Sequence, residues 1–401
     1  MVGHDERVGA SDHFSGDEVG VPLGTGPDVR SPTRELAREV LIHGPIARSD
    51  LIRRLGLSAA SLTRLSRPLL DDGFLIESDE RARGGIGRPV RPLDVRVDAH
   101  WHVGVKLTGE HAFGVATDLR AAVLAEAVVE LGDHSPERIV EAVAEIVAEL
   151  TSAVGTVAPT ALGVSIGGRV SGSRVVVRAP FLGWSDIDLG GLLATRLALP
   201  VVVANDVVAL TEAEHWFGLG RGVDDFAVIT IGAGVGYGLV VHGRQRITRD
   251  TGLGLGAHHP LDPTGPLCSD GHRGCSSAML SIPSIRASVS EGSGRDVSYE
   301  DVLALAGAGD PAARTVTEQA GRALGRFIAA VANLTMVDTV VLAGEGIGLV
   351  PLVRTRIEEA LAEDRDPDAS VVELLIGASD FGIWARGAAT MAIQSRIGRI
   401  G

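Results

Sequence analysis

Lysine is nearly missing from this chain. Among 401 residues Lys106 stands alone, and almost all positive charge is carried by arginine. Cysteine occurs twice, at Cys268 and Cys275, too few for a disulfide framework or a four-cysteine metal site. No apolar run reaches the roughly 18 residues that a membrane-crossing helix needs. The stretch from Met1 to Arg30 is acidic and Gly-rich and has no apolar core, so it reads as a disordered tail (1–30) and not as a secretory signal. Two thiols without such a signal point to a reducing, cytoplasmic location.

Positive charge overall is also short. The formal net charge is −14, which argues against a protein coated in basic surface. Its distribution is uneven, however. From Arg34 to Asp94 there are 11 arginines against 9 acidic residues, a balance of +2, so the remainder carries −16. That asymmetry marks the N-terminal part as the candidate nucleic-acid binder.

Residues 31–95 read as one small domain. Leu36, Val40 and Leu41 form a helical stripe that stops before Gly44-Pro45, and Ser49 can cap a second helix carrying Leu51, Ile52 and Leu55. Gly56 permits a tight turn, and Ser58 can cap a third helix. That order is a helix-turn-helix signature. Leu62 and Leu65 should face the core. Ser58, Ala59, Ser61, Thr63 and Arg64 should be open to a DNA major groove, with Arg48 and Arg67 beside them. Pro68 should kink the third helix or end it early. Phe74–Glu77 and Arg91–Val95 read as two strands of a wing. Arg83 and Arg88, in the Gly-rich loop between them, suit a narrow minor groove or simple phosphate contact. The expected partner is a double-stranded DNA operator with half-sites about one helical turn apart.

From His102 the pattern becomes α/β. Strands are expected at His102–Leu107, Phe113–Thr117, Ala122–Val129, Ala161–Ser165, Val175–Val177 and Pro200–Ala204, with helices at Pro136–Ala153 and Val207–Trp216. A second unit follows, with strands Phe226–Ile231, Tyr237–Val241, Thr339–Ala343 and Val371–Gly377. Its helices fall around Ser281–Val289, Ala312–Met336, Leu352–Leu361 and Ile383–Ile397. Two similar units with a cleft between them are implied.

Both cysteines sit in Leu253–Met279, which also holds His258, His259, His272, Asp262 and Asp270. Soft and borderline ligands in a Gly- and Pro-rich loop suggest one structural zinc ion, held by His258, Cys268 and Cys275 with Asp270 or His272 as fourth ligand. Two reduced thiols or a disulfide are the competing readings.

The frame Gly256-Ala257-His258, Asp262-Pro263, Cys268-Ser269-Asp270-Gly271 and Gly274-Cys275 resembles the signature loop of the ROK family of sugar kinases and sugar-responsive repressors. The resemblance extends from Thr33 to the C-terminus. It implies an α/β protein with an N-terminal winged helix-turn-helix followed by a two-lobed actin-like (ribonuclease-H-like) ATPase fold. The lobes would span 96–206 (with 385–401) and 207–384. It also implies an effector cleft formed by Asn205, Asp206 and His258, with Phe181, Leu255 and Ser277 at positions that are polar in relatives. Leu255 and Ser277 replace sugar-binding glutamates, and Asp270 replaces a zinc-binding cysteine. Asp206 matches the catalytic base of the kinases. Gly232–Gly238 matches their second phosphate loop, and Gly344-Glu345-Gly346 matches a nucleotide segment that usually has glycine in the middle. In the first phosphate loop, Lys106 and Glu110 stand where the kinases have Asp and Thr. A lysine would repel the metal and a carboxylate would repel the γ-phosphate. ATP binding is therefore not expected, Asp206 is a vestigial base, and the chain reads as no enzyme. It reads as a dimeric or tetrameric repressor of carbohydrate-related genes with a sugar or sugar-derived effector. A sugar kinase with a DNA-binding appendage, and a DNA-binding protein without ligand, are the alternatives.

Overall fold

The computed structural model describes residues 31–78, 91–155 and 157–400. Arg83, Arg88 and the N-terminal tail lie outside the described residues.

The head is built from α1 (Pro32–His43), α2 (Arg48–Leu55), α3 (Ala59–Asp71) and a two-stranded antiparallel ribbon, β1 (Leu75–Glu77) with β2 (Leu93–Val95). Gly56 closes α2 in the left-handed region at φ 63°, which glycine adopts without a Cβ clash. Ser58 caps α3 by accepting from the Ser61 amide at 3.1 Å. Leu62 and Leu69 are buried and Leu65 packs partly against the same core. Of the kink or early end expected at Pro68, the early end does not occur, for α3 runs on to Asp71. Pro68 lies on the exposed side of the helix, where water can take up the carbonyl its missing N–H leaves unpaired.

Two α/β lobes follow. The first holds β3 (His102–Leu107), β4 (His111–Thr117), β5 (Val123–Glu130), α4 (Pro136–Val154), β6 (Leu162–Ile166), β7 (Arg169–Ser171), β8 (Val175–Ala179), β9 (Trp184–Ile187), α5 (Leu189–Leu197), β10 (Val201–Asn205) and α6 (Asp206–Phe217). Its main sheet has the order β10-β6-β3-β4-β5, and β7-β8-β9 form a small separate sheet. The second lobe holds β11 (Phe226–Ile231), β12 (Val235–Val241), β13 (Arg244–Gln245), α7 (Ser276–Leu280), α8 (Ile282–Ser293), α9 (Tyr299–Ala308), α10 (Pro311–Thr335), β14 (Thr339–Ala343), α11 (Val350–Glu363) and β15 (Glu373–Ile376). Its sheet has the order β13-β12-β11-β14-β15. The last helix, α12 (Gly382–Ile397), returns to the first lobe.

The two sheets repeat one plan, an antiparallel pair extended by parallel strands. Sequence patterning did not anticipate β7, β9, β13, α5, α7 or α9. These are short, Gly-interrupted or weakly periodic segments whose structure comes from packing on neighbours.

Strand β3 is buried on both faces. Val103, Val105 and Leu107 join Ile139, Val143 and Ile146 of α4 in one core. The alternate residues His102, Gly104 and Lys106 point to the opposite face, where α12 lies. A Cβ at Gly104 would run into the backbone of Ala385 and Ala389, and one at Gly163 into that of Ala388. The two glycines set how closely α12 sits on the sheet. At its N-terminal end Trp384 joins a second-lobe core with Phe226, Val228 and Val341. At its far end Ile393 and Ile397 join the head's core with Leu36, Val40 and Leu41. Arg120 strengthens that joint, donating to the carbonyl of Leu41 at 3.0 Å and pairing with Asp94.

Two outcomes follow. Gly163→Ala forces the helix off the sheet, so it should destabilise the chain by about 1–3 kcal/mol in a urea titration, as overpacked cores do. His102 is wholly buried with no partner for either ring nitrogen among the described residues, and burial, aided by the charge of Arg396, lowers its pKa to about 3. The unfolded chain takes up a proton near its ordinary value of 6.5, whereas the folded one does not. Stability should therefore fall as pH drops from about 6.5 towards 3, with a slope approaching about 1.4 kcal/mol per pH unit from this residue. His102→Phe should remove that component from the pH dependence of the urea midpoint.

Candidate functional site

The lobes enclose a cleft of about 840 Å³. Asn205 and Asp206 end β10 and open α6 at its floor. Asn205 caps the helix, its Oδ1 accepting from the Val208 amide at 3.2 Å, and its Nδ2 donates to the Gly168 carbonyl at 2.9 Å and to Asp206 at 3.1 Å. Capping and cleft-lining are thus one arrangement. Lys106, at the end of β3, places its Nζ 2.5 Å from Asp206 Oδ2 and 5.1 Å from the centre of the Trp384 ring. Its side chain is 8% exposed, so the ion pair sits largely out of water, where opposite charges attract more strongly than at the surface.

The glycine-rich turn between β11 and β12 forms another wall. The backbone N–H of Ala233 points to Glu345 Oε1 at 3.0 Å. The Glu345 carboxylate lies so close over Gly232 that a Cβ there would clash with it, and its second oxygen is buried without a hydrogen-bond partner among the described residues. An amide-lined glycine loop is an anion cradle, and here the anion is supplied by the chain itself. Glu110 stands apart, exposed at the tip of the β3–β4 hairpin. Phe181 and Leu255 also line the cleft and are 57% and 68% exposed, so neither is core filling. Ser277 and His258 complete the set, and the structure brings all six expected effector residues into one cavity. Sequence reading missed Trp384, which is remote in sequence, and the carboxylate of Glu345 as a plug. It also missed Arg178 and Arg246, which line the cleft from strands and loops without a motif.

In the loop before α7, His258, Cys268 and Cys275 bring one nitrogen and two sulfurs within 4.8 Å of one another. Each sulfur is 3.7 Å from His258 Nδ1. Such spacing fits the edges of a tetrahedron with zinc–sulfur bonds of about 2.3 Å and zinc–nitrogen bonds of about 2.0 Å. Cys268 Sγ lies 3.6 Å from His272 Nδ1. Burial raises the Cys268 pKa, but hydrogen bonds from His272 and the local backbone outweigh it and bring the value to about 6, which favours the thiolate that binds metal. Asp270 is not placed as a fourth ligand. Its carboxylate meets Nε2 of His258 at 3.1 Å, on the side of the ring away from the sulfurs, where it would fix the tautomer and orientation of the imidazole if His258 held a metal. The spacing Cys268-Ser269-Asp270 aligns Asp270 with a family cysteine, but the turn at Gly271, φ 84°, swings His272 back towards Cys268 instead.

On the head, Ser58, Ala59, Thr63, Arg64 and Arg67 form one exposed face of α3, with Ser61 half-buried at its edge. Arg64 makes no ion pair among the described residues, whereas Arg67 is 3.8 Å from Asp71. Arg48 is turned inward to Glu77 at 2.9 Å and bridges α2 to β1.

This two-lobed body, with a carboxylate at the cleft floor, a glycine loop and a His/Cys loop, defines the class: the chain belongs to the ROK family, whose profile matches residues 102–394. It is 25% identical over 321 residues to the xylose repressor of Bacillus subtilis, covering 79% of this chain and 83% of that one. It is 27% identical over 306 residues to the DNA-binding transcriptional repressor Mlc of Escherichia coli, covering 73% and 75%. A crystal structure of a ROK family transcriptional regulator, homologous to the E. coli Mlc protein, superposes with a TM-score of 0.76 at 25% identity and covers 91% of this chain and 96% of that one. The ROK glucokinase of Streptomyces griseus shares the fold, with a TM-score of 0.64 at 24% identity over 73% of this chain and 99% of that one.

The loop geometry gives a testable ranking. Protein prepared without chelator should carry about one zinc per chain by atomic spectroscopy, and Cys275→Ser should abolish it. His272→Ala should weaken zinc more than Asp270→Asn, whose loss should cost about 10–100-fold in affinity, as for other outer partners of a ligating histidine.

Proposed function

We propose that this protein is a DNA-binding transcriptional repressor of carbohydrate-related genes, with a kinase-type cleft that has become an effector pocket. The observation that carries the reading is the Lys106–Asp206 ion pair. The residue that would take a proton from a sugar hydroxyl is bound to an ammonium group, and that ammonium stands where relatives with kinase activity have a magnesium-binding carboxylate. Phosphoryl transfer depends on metal and phosphate placement, and Lys106 with the Glu345 plug opposes both. The chain is therefore read as no enzyme, with ATP not a ligand.

The head supports the DNA-binding half. A Gly turn leads into a capped helix that exposes small residues at its start together with Arg64, which makes no ion pair among the described residues. The 91% overlap with the ROK regulator exceeds what residues 102–394 contain, so the likeness reaches into the head. We read the head as a winged helix-turn-helix, with α3 in the major groove of an operator and the β1–β2 ribbon as its wing. A homodimer or homotetramer in the cytoplasm matches a palindromic operator. The cleft offers Asn205, Asp206, His258 and Ser277 as polar partners beside the apolar Phe181 and Leu255. That lining suits a sugar derivative carrying an apolar substituent better than a bare sugar. Zinc, on His258, Cys268, Cys275 and His272, would brace the cleft wall.

The test is operator recognition. Genomic selection with the purified protein should return one palindromic sequence. Arg64→Ala should lower affinity for it by about 1–3 kcal/mol and relax base preference at one position in each half-site, measured by fluorescence anisotropy at fixed salt. Selection that returns no common sequence would reject the reading.

A further inference from the structure

A second cavity, of about 500 Å³, lies far from the cleft, at the joint between head and body. One wall is the end of the DNA-reading helix, with Leu69 and Asp72, followed by Phe74. The facing wall is the last turn of α12, with Arg396, and the turn that follows it, with Arg399.

Arg396 is the unusual group here. It is half-buried, yet it forms no ion pair among the described residues. Its hydrogen-bond partner there is an imidazole, His100 Nε2, at 2.7 Å. A guanidinium only donates, so Nε2 must accept and the ring proton must sit on Nδ1, which lies 3.4 Å from Thr160 Oγ1. Burial, reinforced by the Arg396 charge, lowers the His100 pKa. Burial likewise works against the charge on Arg396, and Asp72 offsets part of that. A partly desolvated cation with no direct ion pair among the described residues is costly, and beside this one the fold leaves open space. Arg399 follows in the turn after α12, its backbone N–H donating to the Arg396 carbonyl at 3.0 Å, and lines the same cavity, and Arg34 lies nearby, donating to the Ile400 carbonyl at 2.7 Å. Two guanidiniums, Arg396 and Arg399, and one carboxylate, Asp72, thus line the cavity. Thr33, Thr160 and Ser395 add hydroxyls to the lining, and Leu69 with Phe74 adds an apolar surface.

We propose that this cavity binds a small phosphate monoester. Its dianionic head sits on Arg396 and Arg399, where charge-assisted hydrogen bonds to guanidinium are strong. Its carbon skeleton lies against Leu69 and Phe74. Because α3 and α12 form opposite walls, an occupant fixes the angle between reading head and body, so anion and operator must alter each other's affinity by the same factor. This site is distinct from the effector cleft, and its existence does not depend on what the cleft binds.

The experiment is calorimetric titration of the full chain, without DNA, in phosphate-free buffer, with glycerol 3-phosphate and with inorganic phosphate. Glycerol 3-phosphate should bind at one site per chain and more tightly than inorganic phosphate. Arg396→Gln and Arg399→Gln should each weaken it about tenfold or more. Arg399 is exposed, so its variant should melt as the parent does, which separates lost binding from lost folding. Arg64→Ala should leave anion binding unchanged, so a failure of the DNA reading is told apart from a failure of this one. Absence of heat at millimolar ester overturns the proposal, and so does binding that both arginine variants retain. Inorganic phosphate binding as tightly as the ester would overturn the assignment to a monoester.

Discussion

The contact of α12 with the first sheet is the constraint on which the molecule rests. A helix cannot approach a strand this closely unless the strand omits its side chain, and Gly104 and Gly163 do so where Ala385, Ala388 and Ala389 press down. Hydrophobic burial alone would allow many helix positions. Backbone sterics allow one, because interiors are packed too densely to absorb an extra methyl group. From that seat α12 delivers Trp384 to the cleft floor and the second lobe, and Ile393 with Ile397 to the head. One helix thus bears on all three parts of the chain.

The same face of β3 carries the polar residues that matter. His102, Gly104 and Lys106 share it by the two-residue period of a strand. Lys106 meets Asp206 at one end, His102 lies under the influence of Arg396 at the other, and the glycine admits the helix between them. A charge introduced near the cleft and a charge near the joint are therefore held by one rigid strand–helix pair.

Much of this was legible in the sequence, and the gaps have physical causes. His102–Leu107, Phe226–Ile231 and Thr339–Ala343 were placed residue for residue, since each is a short apolar run with clear punctuation. The cleft residues were found because Asn205-Asp206 and the His/Cys loop keep recognisable spacing. What spacing cannot supply is direction. Asp270 was expected to face the sulfurs, but Gly271 turns the chain and leaves it on the other nitrogen of His258. Arg48 was counted with the DNA-facing arginines, yet its partner Glu77 is brought near only by the β1–β2 ribbon. Pro68 was expected to kink or end a helix that continues past it to Asp71, with the proline on its wet side. The pairing of Lys106 with Asp206 joins residues a hundred positions apart, and no local pattern announces it.

Glu345 has one more consequence. A free anion competes for a glycine loop according to its concentration, but a tethered carboxylate has no concentration to dilute. Its effective molarity is set by the turn after β14 that holds it over Gly232. Any soluble phosphate must displace an occupant that never diffuses away, and must do so beside a buried negative charge. Under the reading proposed above, swings in the cell's nucleotide pool would leave this regulator untouched.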